Sequence, residues 1–197
     1  MITMTCGKAD ITGQNSAIAR GLRNRDSELI NDLIERYQYR LFRYLVSLTG
    51  NRDNASDIFQ ETWIRILERG HQYNKKWKFE SWLFTVARNL FIDKTRRDRN
   101  SVSLDEVDDS TFVNSRHNRT DEAPPAKALA RSETSEKVQA SMLRLSPAYR
   151  EALVLRFQEE LTLEEIARIT AAPLSTVKSR IYRSLEMLRD LMGGYMP

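Results

Sequence analysis

"LTLEEIARITAAPLSTVKSRIYRSLEMLR", residues 161–189, contains two helical signals interrupted by a short break. Thr162 and Glu165 stand at the spacing of a capping box, in which each side chain takes a backbone N–H at a helix start. Ile166, Ala167 and Ile169 then share one side of a short helix. After Thr170, Ala171 and Ala172, Pro173 opens a second helix, with Val177, Ile181, Leu185 and Leu188 as its buried stripe. Two short helices across a tight turn, with a small residue inside the first, predict a helix-turn-helix. With that stripe inside, Ser175, Thr176, Lys178, Ser179, Arg180 and Arg183 are left on the outer face. Hydroxyls and cations of this reach suit base edges in the major groove and the flanking phosphates. Ser175, Thr176, Lys178 and Ser179 lie nearest the helix start and are the base-reading candidates, with Arg183 assigned mainly to phosphate. An ordinary solvated amphipathic helix is the competing reading.

Just upstream, "SETSEKVQASMLRLSPAYREALVLRFQEE" (132–160) is also helical in period. Val138, Met142 and Leu145 recur, and Ser146 with Pro147 reads as an N-cap and first helical residue. Before it the pattern collapses. Residues 99–130 are polar, hold the acidic cluster Asp105, Glu106, Asp108 and Asp109, and include Pro124 and Pro125. Such a segment buries too little apolar surface to order itself and reads as a flexible linker. Charge divides the same way: residues 1–97 carry +6, 98–130 carry −3 and 131–197 carry +1, within a total of +4.

The N-terminal part is helical too. Leu29, Leu33, Tyr37, Leu41, Leu45 and Leu48 form a helical stripe that stops at Thr49-Gly50-Asn51. A second helix runs from about Asp53 to Arg69, with Ala55, Ile58, Thr62 and Ile66 inward and Gly70 ending it. On a neighbouring face Asp57, Gln60, Glu61 and Ile64 follow at i, i+3, i+4 and i+7. By spacing alone, Asp57, Glu61 and Arg65 also fit plain i,i+4 surface pairs. A third helix covers about 80–97, with Trp82, Val86 and Leu90 on the core side and Leu83 and Ala87 beside them. Trp77 and Phe79 are placed in the loop before it, among Lys75, Lys76 and Lys78. Loop aromatics interleaved with cations are what single-stranded nucleic acid requires, since unstacked bases need π-faces and the backbone needs positive charge. The expectation is an all-α chain with two small helical domains, 20–98 and 131–192, joined by the linker.

At this point the chain resembles the extracytoplasmic-function sigma factors of the sigma-70 family over about residues 25–191. "DNASDIFQETWIRIL" (53–67) is similar to the family's region 2.2, which binds the β′ clamp helices of core RNA polymerase. The resemblance assigns that contact to Asp57, Gln60, Glu61 and Ile64, and implies a β flap contact as well. "FESWLFTVARNLFIDKTRR" (79–97) resembles regions 2.3–2.4, where the family opens and reads the −10 element and the preceding loop captures a flipped base. The residues so implied are Lys75, Lys76, Trp77, Arg88, Asn89, Arg96 and Arg97. The helix-turn-helix resembles region 4.2, the reader of the double-stranded −35 element. The family also threads its linker toward the polymerase active centre, and an anti-sigma factor is an implied partner. Two residues depart from the pattern, Ala171 and Ser175, where the family usually has Gly. An Ala at positive φ costs about 1 kcal/mol, so a slightly reshaped turn is expected.

Other functions fit less well. A stand-alone helix-turn-helix regulator leaves the 53–61 and 75–97 patterns unexplained. An enzyme such as a nuclease needs a converging set of carboxylates or histidines, and none is visible by spacing. One cysteine, Cys6, allows no internal disulfide, and His71 and His117 are isolated, so neither a metal nor a cofactor is expected. No apolar run is long enough to span a bilayer and no signal peptide precedes the helices, which predicts a cytoplasmic protein without membrane insertion.

Overall fold

The computed structural model describes residues 8–102 and 137–193, and every described element is helical. Cys6, His117, the acidic cluster at 105–109 and Pro124–Pro125 lie outside the described residues. Helix α1 spans Lys8–Asn24, α2 Ser27–Thr49, α3 Arg52–Arg69 and α4 Phe79–Val102, with a 3₁₀ turn at Gly70–Gln72 between the last two. After the undescribed stretch come α5 (137–144), α6 (Pro147–Leu153, continued by a π-helical turn over Val154–Gln158), α7 (Leu163–Ile169) and α8 (Leu174–Leu191).

The boundaries have local causes. Asp26 accepts from the N–H groups of Glu28 and Leu29 to start α2. At its end Gly50 takes the left-handed conformation (φ 64°) and donates back to Val46. Asn51 caps α3 through the Asn54 N–H at 2.9 Å. Ser146 occupies the N-cap position of α6 with Pro147 at its first turn, as predicted, although no side-chain hydrogen bond accompanies it.

The first four helices enclose Leu41, Tyr44, Leu45, Ile58, Ile66, Leu83, Phe84 and Ala87, all at most 3% exposed. Three expectations need correction. The N-terminal unit begins well before residue 20, because α1 contributes Ile18, Ala19 and Leu22 to this core. Phe79 is the first residue of α4 and is buried at 1% exposure, not a loop aromatic. Finally, α4 continues through Val102, four residues into the expected linker, whose remainder lies outside the described residues. The buried arc of α4 is also wider than the pattern implies. Leu83, Phe84, Ala87 and Leu90 are deepest, while Trp82 and Val86 are half-buried. The cause is that α2 and α3 cover one side of α4 and α7 covers another.

That last contact belongs to an extended junction between the two helical groups. Ala152, Leu155, Ile166, Ile169 and Val177 from α6–α8 continue the same apolar core as α2 and α4. Arg150 of α6 closes the junction at the end of α2. Its guanidinium donates to the carbonyls of Ser47, Leu48, Leu143 and Leu145 at 3.0–3.2 Å. A cation at that end is favoured by the exposed carbonyls and the helix dipole, although burial lowers the Arg150 pKa from its usual value.

Candidate nucleic-acid interface

The helix-turn-helix forms as its residues demand. Thr162 Oγ1 accepts from the Glu165 N–H at 3.2 Å and the Glu165 carboxylate accepts from the Thr162 N–H at 2.9 Å, completing the capping box. Ala171 adopts φ 49°, so the turn keeps its left-handed residue despite lacking glycine. Ala171 donates to the Arg168 carbonyl and Ala172 to that of Ala167, which closes α7. On α8, Val177 and Ile181 are buried at 1% and 8%. Ser175, Lys178, Ser179 and Arg183 are exposed together on the opposite side, while Thr176 and Arg180 are half-buried.

The loop before α4 is held by an aromatic cluster. Tyr73 packs edge-on to Phe79 at 5.7 Å between ring centres and lies 5.3 Å from Trp82; Tyr37 covers Phe79 at 5.5 Å. The Tyr73 hydroxyl donates to the Trp77 carbonyl at 2.7 Å, and burial, with Tyr37 nearby, pushes its pKa well up. Asn74 turns the chain by accepting from the Lys76 N–H, and the Trp77 N–H returns to the Asn74 carbonyl. The result is a fixed turn that holds Trp77 out at 44% exposure, with Lys75 and Lys76 exposed beside it. The Arg168 guanidinium, from α7, sits 3.3 Å above the Trp77 ring.

Along α4, Asn89, Arg96 and Arg97 are exposed. Arg88 is not: its Nε donates between the two Glu151 oxygens at 2.9 and 3.1 Å. On α3, Asp57, Gln60 and Ile64 are exposed, and Glu61 is half-buried. The i,i+4 pair read from spacing is present, with Arg65 on Glu61 at 2.8 Å; Asp57 pairs instead with Lys94 of α4 at 2.9 Å. Leu67, 42% exposed next to Ile64 at 48%, extends this face and was missed, although it continues the same period.

Sequence spacing also missed a set of carboxylates on the C-terminal group. Glu159, whose side chain is fully buried, accepts from Arg40 at 2.8 Å and Arg43 at 2.9 Å. Arg40 also pairs with Glu80. Glu151 accepts from the Tyr44 hydroxyl at 2.9 Å as well as from Arg88. Burial raises the Glu151 pKa, with Arg88 and Tyr44 opposing it. Glu165 holds Lys78 at 2.9 Å. Burial pushes that carboxyl up, but the Thr162 N–H and Lys78 outweigh it, and its pKa lies below the usual range.

Comparison with known proteins decides the family. Residues 33–101 match the Sigma-70 region 2 family and residues 135–188 match Sigma-70, region 4. The chain is 32% identical to the ECF RNA polymerase sigma factor SigW of Bacillus subtilis (strain 168), over 83% of this chain and 89% of that one. The chain is an extracytoplasmic-function sigma factor of the sigma-70 family. A second relative, the ECF RNA polymerase sigma factor SigM of the same organism, is 32% identical over 82% of this sigma factor and 94% of its own length. The fold is shared with the sigma factor RpoE of Bartonella quintana, solved in complex with the anti-sigma factor NepR. That match has a TM-score of 0.69 and 22% identity, and covers 84% of this chain and 98% of that one. The region 2 match thus runs from within α2 through α4, and the region 4 match covers the helices from α5 through most of α8.

Proposed function

We propose that this sigma factor binds core RNA polymerase through the outer face of α3 and directs it to promoters by reading two DNA elements. Asp57, Gln60, Glu61 and Ile64 meet the β′ clamp helices, and region 4 meets the β flap. Lys75, Lys76, Trp77, Arg88, Asn89, Arg96 and Arg97 act on the melted −10 strand. Ser175, Thr176, Lys178, Ser179, Arg180 and Arg183 act on the double-stranded −35 element. The units doing this are residues 20–98, extended by α1, and 131–192. The chain works in the cytoplasm, catalyses no reaction and needs no cofactor; no described helix is long and apolar enough to cross a membrane. An anti-sigma factor is its expected regulator, a reading supported by the sigma–anti-sigma complex that shares its fold.

The observation that carries the −10 assignment is the turn that holds Trp77 outward on an aromatic base beside Lys75 and Lys76. Base stacking on such a ring is worth roughly 1–3 kcal/mol per base. Run-off transcription with core enzyme tests it. Trp77→Ala should impair open-complex formation more than closed-complex binding, and a pre-melted bubble template should rescue it. Equal defects on duplex and bubble templates would refute the assignment. In the arrangement described above, Arg88 is engaged by Glu151 and Trp77 by Arg168. Both contacts have to break before these residues meet DNA.

A further inference from the structure

A cleft of about 610 Å³ lies between α1 and the 71–75 segment. One wall is a face of α1 that presents Arg20 and Arg23, one turn apart and both exposed. The other wall presents His71, Asn74 and Lys75, and none of the residues lining the cleft is acidic. The walls are joined firmly. A Cβ on Gly70 would lie 2.9 Å from the Leu22 Cβ and 3.2 Å from the Leu22 carbonyl oxygen, so α1 rests directly on the backbone at the start of the loop. Farther along, the buried Asn15 donates from Nδ2 to the Lys75 carbonyl at 3.3 Å. The cleft is therefore a fixed concavity with excess positive charge, and it shares Lys75 with the turn that presents Trp77.

Concave, cationic and hydrogen-bonding surfaces of this size suit a phosphate-bearing group, and the continuity with Trp77 selects which one. A duplex backbone is convex and stiff and does not enter a cleft between a helix and a loop. A single strand whose base stacks on Trp77 has its next phosphates free to follow Lys75 inward. We infer that α1 forms the second wall of the strand-binding site, with Arg20 and Arg23 holding phosphodiesters of the melted promoter strand adjacent to the base held at Trp77. This rests on the −10 reading above and extends it to residues outside both matched family regions.

The test uses holoenzyme assembled from core RNA polymerase and the full chain. Its ligand is a fluorescent single strand carrying the non-template sequence of a promoter that the holoenzyme transcribes. Each phosphate contact on a single strand contributes about 0.7 to the slope of log affinity against log salt. Arg20→Ala with Arg23→Ala should therefore lower the slope by about 1.4. Between 50 and 200 mM salt the wild type should then lose about sevenfold more affinity than the variant. Trp77→Ala should weaken binding with its slope unchanged, because stacking releases no counterions. Arg20→Lys with Arg23→Lys should restore the wild-type slope, which separates lost charge from lost folding. Wild-type affinity and slope in the double alanine variant, beside weakened binding by Trp77→Ala, overturns the cleft while sparing the −10 reading. If Trp77→Ala also binds as wild type, both fall. Labelled dATP bound by the wild type and lost in the double variant, with the strand slope unchanged, assigns the cleft to free nucleotides and overturns the inference.

Discussion

Reversing two charges on α3, Asp57→Arg with Glu61→Arg, separates a polymerase-binding face from a merely helix-stabilising one. The structural cost is calculable. Asp57 is 72% exposed in its pair with Lys94, and Glu61 is 44% exposed in its pair with Arg65. Exposed pairs of this kind contribute about 0.2–1 kcal/mol each, and the like-charge contacts that replace them cost similar amounts. The total is about 1–4 kcal/mol. For a chain of this length each kcal/mol moves the melting temperature by about 2–4 °C, so the variant should melt no more than about 16 °C lower and remain fully helical. Binding is a different matter, since like charges brought together across an interface cost several kcal/mol. Affinity for core polymerase should fall by at least about a hundredfold, which is about 2.7 kcal/mol. Fluorescence titration of labelled chain with core enzyme, beside circular-dichroism melting, measures both quantities. Glu35→Arg, an exposed reversal on α2, serves as the control that should leave core affinity unchanged. Core affinity within twofold of wild type in the double variant would refute the reasoning.

Ala171→Gly relieves a left-handed alanine that costs about 1–2 kcal/mol, offset by about 0.4–1 kcal/mol of added freedom in the unfolded chain. A thermal melt should show a net gain of about 0.5–1 kcal/mol, and Ala171→Val should show a loss. Glu151 has a pKa raised by burial, so the folded chain holds its proton more tightly than the unfolded chain does. Its contribution is therefore fully present below the usual carboxylate pKa and lost as pH rises through the raised value, and Glu151→Gln should flatten this part of a stability–pH profile. Lys178→Ala should cost about 1–3 kcal/mol and relax preference at one or two −35 positions, whereas Arg183→Ala should weaken all −35 sequences alike and lower the salt slope by about one. Competition binding across a −35 library at two salt concentrations distinguishes them.

Local signals carried much of this structure. The stripes of α2 and α3 and the capping box at Thr162 and Glu165 follow from short-range chemistry, and short-range chemistry is visible in spacing; the turn at Ala171, expected to be reshaped, instead keeps a positive φ. Helix α1 was hidden because Gly13 and Gly21 weaken its helical pattern. Its stability comes from tertiary packing, with Gly21 fitted against Leu29 and Gly70 against Leu22. Phe79 read as a loop aromatic because its burial depends on Tyr37, Tyr73 and Trp82, which meet only in the fold. The exposed faces of α3 and α8 were legible as the outer sides of their stripes. The state of Arg88 was not, since its partner Glu151 lies 63 residues away and no periodicity links the two.

The carboxylate of Glu151 occupies Arg88, and the guanidinium of Arg168 covers the Trp77 ring; under the function proposed above, these are the places of a phosphate oxygen and of a base. On that proposal the sigma factor carries substitutes for its own nucleic-acid ligand. Strand binding at Arg88 and Trp77 would then be open only to the fraction of chains in which the two helical groups have parted, and the apparent affinity would be the intrinsic one scaled by that fraction. Each 1.4 kcal/mol by which the joined arrangement is favoured removes about a factor of ten. A partner that binds the groups only when apart restores that factor without touching the strand. With the polymerase contacts proposed for α3 and region 4, core polymerase would raise promoter affinity through those contacts alone, and free chains in excess of polymerase would be kept from occupying melted DNA unproductively.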